Sequence, residues 1–240
     1  MSDNIRCCFE RCEKKYRLTR SQQSFITDGM REYMQPDEFG RYTICNIYYD
    51  TDDWQLIRTS IEKPVYKEKL RVRSYGVPDD DGKVFVELKK KYNGIVYKRR
   101  IITNPETARQ LLGGGISGGN FGQIGREIEW FRSFYKTQPK LFIGYDRLAF
   151  AGVQQPDLRI TFDTDLRWRS DRLDLRQGDC GRLFLPHDEV IMELKAPGAC
   201  PMWLGRLLSE AEAFPVSFSK IGYCYKNNIA NLKKGEFNCA

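Results

Sequence analysis

Alternation along Tyr66–Lys91, YKEKLRVRSYGVPDDDGKVFVELKKK, constrains the fold more than any other stretch. It reads as two strands around a turn-rich loop. Successive side chains of a strand point to opposite faces. Lys67, Lys69, Arg71 and Arg73 therefore share one face, with Leu70 and Val72 on the other. In the second strand Glu87, Lys89 and Lys91 lie opposite Val84, Val86 and Leu88. Asn93-Gly94 then predicts a tight hairpin into Ile95–Ile102. Cations in a row repel one another, so this meander must either meet an anionic ligand or spread its charge over solvent.

Charge along the whole chain fits an anionic partner. Lys plus Arg is 39 against 32 for Asp plus Glu, a net charge of +7. This suits nucleic acid, nucleotide, polyphosphate or an anionic membrane without choosing among them. Hydrophobic residues at 41% and charged residues at 30% fit a folded globular chain. No run of about 18 apolar residues predicts a transmembrane helix. The N-terminal stretch has no apolar signal core, so a cytoplasmic location is expected. The cysteines at 7, 8, 12, 45, 180, 200, 224 and 239 form no CxxC pair and fit no zinc spacing, which favours reduced thiols. The single histidine, His187, follows Pro186 in an expected loop, so histidine catalysis is a poor fit.

Taken in order, Phe9–Leu18 reads as a strand carrying Glu13, Lys15 and Arg17 on one face. Thr19 with Gln22 predicts a capped helix running to Met34 and ended by Gln35-Pro36-Asp37. Thr43–Thr51 predicts a strand and Thr51–Glu62 a short helical turn. Asn104-Pro105 opens a helix ending near Leu112. GGGISGGNFG at 113–122 lacks the Lys-Ser/Thr of a phosphate loop and follows a helix, so it reads as a flexible linker. Gln123–Tyr135 predicts an amphipathic helix. Strands follow at Pro139–Phe150, Leu158–Leu166 and Glu189–Ala196, with another around Trp168–Leu175, and then a helix at Pro201–Phe214. Roughly eight strands with a few helices predict an α+β fold built on an antiparallel barrel, as a single domain over 1–240.

The parity pattern extends beyond the hairpin. Glu13 with Lys15, Glu87 with Lys89, Arg159, and Glu193 with Lys195 each lie on a strand face opposite apolar neighbours. Closed into a barrel, such faces would line a basic channel. In a sandwich they would be solvated outer faces with ion pairs worth ~0–1 kcal/mol each. Pattern alone leaves both arrangements open. A channel lining of like charges needs a ligand of high negative charge density, helped by a divalent metal on the glutamates.

Several runs resemble the VTC domain, the polyphosphate polymerase branch of the triphosphate tunnel metalloenzymes and a relative of the CYTH superfamily. They are Arg11–Tyr16, Asn46–Asp50, Lys69–Tyr75, Val86–Lys90, Tyr145–Phe150, Arg159–Thr164, Met192–Lys195 and Ser217–Lys220, in family order over nearly the whole chain. The resemblance implies a closed antiparallel β-barrel of about eight strands forming a basic tunnel, with helices packed outside. Arg71, Arg73, Lys89, Arg147, Arg159 and Lys220 would then act on the triphosphate. Lys15, Lys69, Lys98 and Lys195 would bind it too, Lys98 with its strand phase ambiguous. Glu193 would hold Mn²⁺ or Mg²⁺, with Glu87 and Glu13 as helpers.

The implied reaction moves the γ-phosphoryl of ATP onto inorganic polyphosphate. Its nucleophile is an already ionised phosphate oxygen, which agrees with the missing nucleophile motifs. The resemblance also admits a non-catalytic polyphosphate or inositol-phosphate binding module, or a tunnel triphosphatase. No nucleic acid partner is expected, and any transport role would need a separate membrane-protein partner. Arg11 stands where the ExExK motif of the wider superfamily has its first glutamate, and Glu10 is out of phase, which favours the polymerase branch over two-metal hydrolysis.

Overall fold

The computed structural model describes residues 11–230. Phe9 and Glu10, where the first strand was expected to start, lie outside the described residues, as do Cys7, Cys8 and Cys239. Nine strands and six α-helices are described: β1 (Arg11–Thr19), α1 (Arg20–Gly29), β2 (Met34–Asp50), α2 (Gln55–Ile61), β3 (Tyr66–Tyr75), β4 (Val84–Tyr92), β5 (Ile95–Thr103), α3 (Pro105–Gly113), α4 (Gly122–Tyr135), β6 (Gln138–Gly152), β7 (Arg159–Arg169), β8 (Arg182–Leu183), β9 (Glu189–Pro197), α5 (Met202–Glu210) and α6 (Lys220–Cys224).

Local chemistry explains the element ends. The Thr19 hydroxyl accepts from the Gln22 amide, and the Gln22 side chain accepts from the Thr19 amide, which closes the capping box of α1. That helix stops at Gly29, short of the expected Met34, and Pro36 falls in the exposed start of β2, where a missing donor is tolerated. Asn93 and Gly94 both have positive φ, 43° and 86°, as a type I′ hairpin requires. Asn104 caps α3 by accepting from the Thr107 amide at 2.8 Å. The 113–122 segment is ordered, not a flexible linker. Residues Gly118–Phe121 form a 3-10 turn whose first amide donates to Glu129 at 3.0 Å. Gly118 and Gly125 meet so closely that a Cβ on Gly125 would lie 2.0 Å from the Gly118 carbonyl oxygen.

The strands pair in the order β1-β9-β7-β6-β2-β3-β4-β5, with β8 joined to β7. β1 and β5 end this order and do not pair with each other among the described residues. The expected closed barrel, and the tunnel inside it, are therefore corrected to an open antiparallel sheet. Parity decides which side chains share a face, but closure depends on hydrogen bonds between the two outermost strands, to which parity is blind. β5 bears the marks of an edge, with Lys98 and Arg99 exposed along it.

Contacts divide the chain into two compact units. Among the described residues, one comprises 11–42, 146–165 and 185–218, the other 43–145, 166–184 and 219–230. In the first, Tyr16, Leu18, Phe162, Met192 and Leu194 pack on Met30, Leu204 and Leu207. In the second, Leu70, Val72, Val86 and Leu88 pack on Leu111, Ile128 and Phe131. Each core takes the apolar face of its strands, which commits the charged parity to the opposite face. No helix among the described residues is long and apolar enough to cross a membrane.

Candidate functional site

The expected site residues fall into two groups, one in each unit. In the unit containing the hairpin, register sets the order. Arg71 lies opposite Glu87 on β4 and Tyr48 on β2, and Arg73 lies opposite Phe85 and Asn46. Lys69 lies opposite Lys89, and Lys67 opposite Lys91. The β4–β5 register then fixes the phase that sequence left ambiguous. Glu87 opposes Arg100 and Lys89 opposes Lys98, so Lys98 and Arg100 share this face. Arg99 points the other way and reaches Glu127 at 3.4 Å. On β3, β4 and β5 the only carboxylate of the face is Glu87.

Glu87 is only 1% exposed and is held by three cations. Arg71 reaches it at 2.6 Å, Lys98 at 2.5 Å and Arg100 at 2.6 Å. Burial pushes its carboxyl up, but Arg71, Arg73 and Lys98 outweigh burial and hold it well below the usual carboxylate range. Lys98 is shifted down by burial; Glu87 draws it back, and Arg100 and Arg71 press it down again. Lys67 is lowered by burial and then by Lys91 and Lys63. On β3–β5 several cations thus share the face with a single carboxylate.

Arg73 is buried without a carboxylate at hydrogen-bond distance among the described residues. Its Nε donates to Asn46 Oδ1 at 2.9 Å and its Nη2 to the Tyr145 hydroxyl at 3.3 Å, both neutral. Lys69 donates to the Ser219 hydroxyl at 3.0 Å, and the Lys220 ammonium sits 4.4 Å from the centre of the Tyr145 ring. Asn46, Tyr48, Arg100 and Tyr145 were not singled out from sequence. Parity on their strands carried a signal for Tyr48 and Arg100, but only the register could place them beside Arg71 and Glu87.

The other unit carries the second group. Glu13 opposes Lys195 and Lys15 opposes Glu193 across β1 and β9, a checkerboard of opposite charges. Lys195 lies 2.7 Å from Glu193, and Lys15 lies 3.5 Å from Glu13 and donates to the Phe218 carbonyl at 3.3 Å. Arg159 opposes Lys195, and lies 3.9 Å from Asp37. Arg147 makes a bidentate pair with fully buried Asp163, at 2.6 and 2.8 Å. Asp163 shares the parity of Arg159 but was not picked out from sequence.

Among the described residues no group of three or more His, Cys, Asp or Glu could enclose a metal. The oxygen donors around Glu193 still suit a partly hydrated Mg²⁺ or Mn²⁺, which takes one or two carboxylates and completes its shell with water and phosphate. Glu193 is 12% exposed, Glu13 lies on the neighbouring strand, and Thr161, opposite Glu193 on β7, has a buried hydroxyl with no hydrogen-bond partner among the described residues.

No curated protein matches the sequence. Among solved structures, a Vibrio parahaemolyticus protein described as a candidate adenylate cyclase is 14% identical with a TM-score of 0.50, over 90% of this chain and 97% of that one. The candidate adenylyl cyclase HpAC1 from Hippeastrum, for which a dominant triphosphatase activity is stated, is 15% identical with a TM-score of 0.52, over 93% and 95%. A candidate adenylate cyclase from Bacillus halodurans is 12% identical with a TM-score of 0.50, over 92% and 97%. At these identities the likeness concerns the fold alone. The sequence profile of the VTC domain matches residues 10–229, nearly the full length. The chain therefore belongs to the VTC domain family, consistent with the CYTH-like triphosphate tunnel superfamily and its polyphosphate- and phosphate-handling enzymes.

Proposed function

We propose that the chain is a metal-dependent polyphosphate polymerase that transfers the γ-phosphoryl of ATP to inorganic polyphosphate and releases ADP. The observation that carries this reading is the β3–β5 face, where cations surround one saturated carboxylate and buried Arg73 keeps neutral partners. Such a face favours a ligand with several closely spaced negative charges, and a phosphate chain supplies them.

In the proposed step a terminal polyphosphate oxygen attacks the γ-phosphorus, and the bond to the bridging oxygen breaks with its electron pair passing to ADP. The nucleophile is already ionised, so no side chain has to remove a proton. Arg71 and Arg73 orient and neutralise the triphosphate, and Lys69, Lys89 and Lys98 extend the cationic row. A divalent cation, when bound, would supply charge neutralisation for phosphoryl transfer, and within its own unit Glu193, with Glu13 and Thr161, would hold it. Family membership supports metal-dependent chemistry of this kind.

The test is incubation with ATP and Mn²⁺ while following ADP and polymer. ADP with polymer supports the polymerase. Free phosphate without polymer makes the chain a triphosphatase, and no turnover with retained tripolyphosphate binding makes it a binding module. Either of these outcomes overturns the reading.

A further inference from the structure

The cationic face of β3–β5 does not end in solvent-facing charge. Beyond Arg73 its positions turn apolar. Tyr75 continues the parity of Arg71 and Arg73 on β3, Phe85 lies opposite Arg73 on β4, and Ile102 lies opposite Phe85 on β5. Tyr75 and Phe85 meet edge to face, with ring centres 5.5 Å apart and planes at 84°. The Arg100 guanidinium lies 4.6 Å from the centre of the Phe85 ring, so the last cation of the row is joined to the first aromatic. Tyr75 is 51% exposed and Ile102 60%, although each is a large apolar side chain beside a strongly charged row.

We propose that Tyr75, Phe85 and Ile102 form a platform for the base of a nucleoside triphosphate whose phosphates run over Arg73 and Arg71. This rests on the reading that the face binds ATP, and it assigns the two ends of that ligand. Exposed aromatic and aliphatic surface recognises a flat heterocycle; the adjoining cations recognise its polyanionic tail. From Phe85 to Lys89 is four residues of strand, about 13 Å, room for a chain of three phosphates. The base end is thereby fixed at Tyr75, and the γ-phosphoryl points toward Lys69, Lys89 and Lys98. The growing polyphosphate then approaches from the Lys67–Lys91 row. Stacking accepts any base face, so the platform favours nucleotides over bare phosphate chains without separating ATP from GTP.

Binding of ATP, GTP and inorganic tripolyphosphate is measured by calorimetry on the wild type, Tyr75→Ala, Tyr75→Phe and Ile102→Asn. The platform predicts that Tyr75→Ala and Ile102→Asn weaken ATP and GTP about tenfold while tripolyphosphate stays within about twofold. Tyr75→Phe, which keeps the ring, retains nucleotide affinity. Wild-type protein that binds tripolyphosphate as tightly as ATP, or Tyr75→Ala that weakens all three ligands equally, overturns the platform and leaves the polyanion reading standing. Wild-type protein that binds none of the three overturns both.

Discussion

Asn46 holds Arg73 without cancelling its charge. The amide nitrogen of Asn46 donates to the Ile143 carbonyl at 3.0 Å, which orients the side-chain oxygen toward Arg73 Nε at 2.9 Å. A carboxylate in the same place would hold the guanidinium equally well and neutralise it. Asn46→Asp, nearly identical in shape, is therefore expected to weaken tripolyphosphate binding about tenfold at low salt and to flatten its salt dependence. Calorimetry at two ionic strengths checks this, and an unchanged affinity would remove Arg73 from the binding face.

Glu87→Gln is expected to move stability and affinity in opposite directions. Three cations lose their buried counter-charge, which costs about 3 kcal/mol. The polyanion meanwhile loses a competitor, so tripolyphosphate binds more tightly. The native carboxyl sits below its unfolded value, so its stabilising contribution is present above about pH 4.5 and fades as pH falls through the folded value. Urea unfolding of wild type and variant should thus converge at acid pH, and a gap independent of pH would refute the assignment.

Glu193→Gln tests the metal role separately from phosphate binding. The variant should lose Mn²⁺-dependent turnover while keeping ATP affinity within about threefold, because the Arg71–Arg73 row is untouched. Full activity in this variant would rule out Glu193 as a metal ligand.

The buried thiols should be inert. Burial, with Asp179 adding to it, pushes Cys45 up to about 11, and burial pushes Cys224 up to about 12, whereas Cys180 is exposed. Iodoacetamide at pH 8 should label Cys180 in the native protein and spare Cys45 and Cys224 in peptide mass spectra. Both raised thiols stay neutral in the folded state while the unfolded chain ionises near 9, so folding stability should decline from about pH 9 toward 11, by ~1.4 kcal/mol per pH unit for each thiol.

Gly125→Ala probes the contact between the 3-10 turn and α4. A methyl group 2.0 Å from the Gly118 carbonyl cannot be accommodated without moving backbone, and about 2 kcal/mol of stability should be lost. A lowering of Tm by ~5 °C would agree; an unchanged Tm would mean that the turn is not held against the helix.

Sequence made the local geometry readable wherever one residue type has one physical use. Asn93-Gly94, the Thr19–Gln22 box and the Asn104 cap all form as their chemistry dictates. Strand parity likewise foretold that Arg71, Arg73, Glu87 and Lys89 share a face. Long-range relations were hidden. Whether β1 and β5 meet depends on the path of the whole sheet, and the phase of Lys98 depends on a register that one strand cannot reveal. Asn46 carried no charge to draw attention, although it sets the environment of Arg73. The glycines at 113–122 suggested freedom because their role, close backbone approach, shows only once Gly118 and Gly125 touch.

The imbalance around Glu87 has a practical side. A face on which several cations share the one carboxylate of β3–β5 is expected to draw multivalent anions from its buffer. If the face binds polyanions as proposed, sulfate, citrate and phosphate buffers are expected to act as weak occupants, raising the melting temperature and masking the affinity for a true substrate. Activity and binding are best compared in chloride or acetate at fixed ionic strength, where the only multivalent anion present is the one being studied.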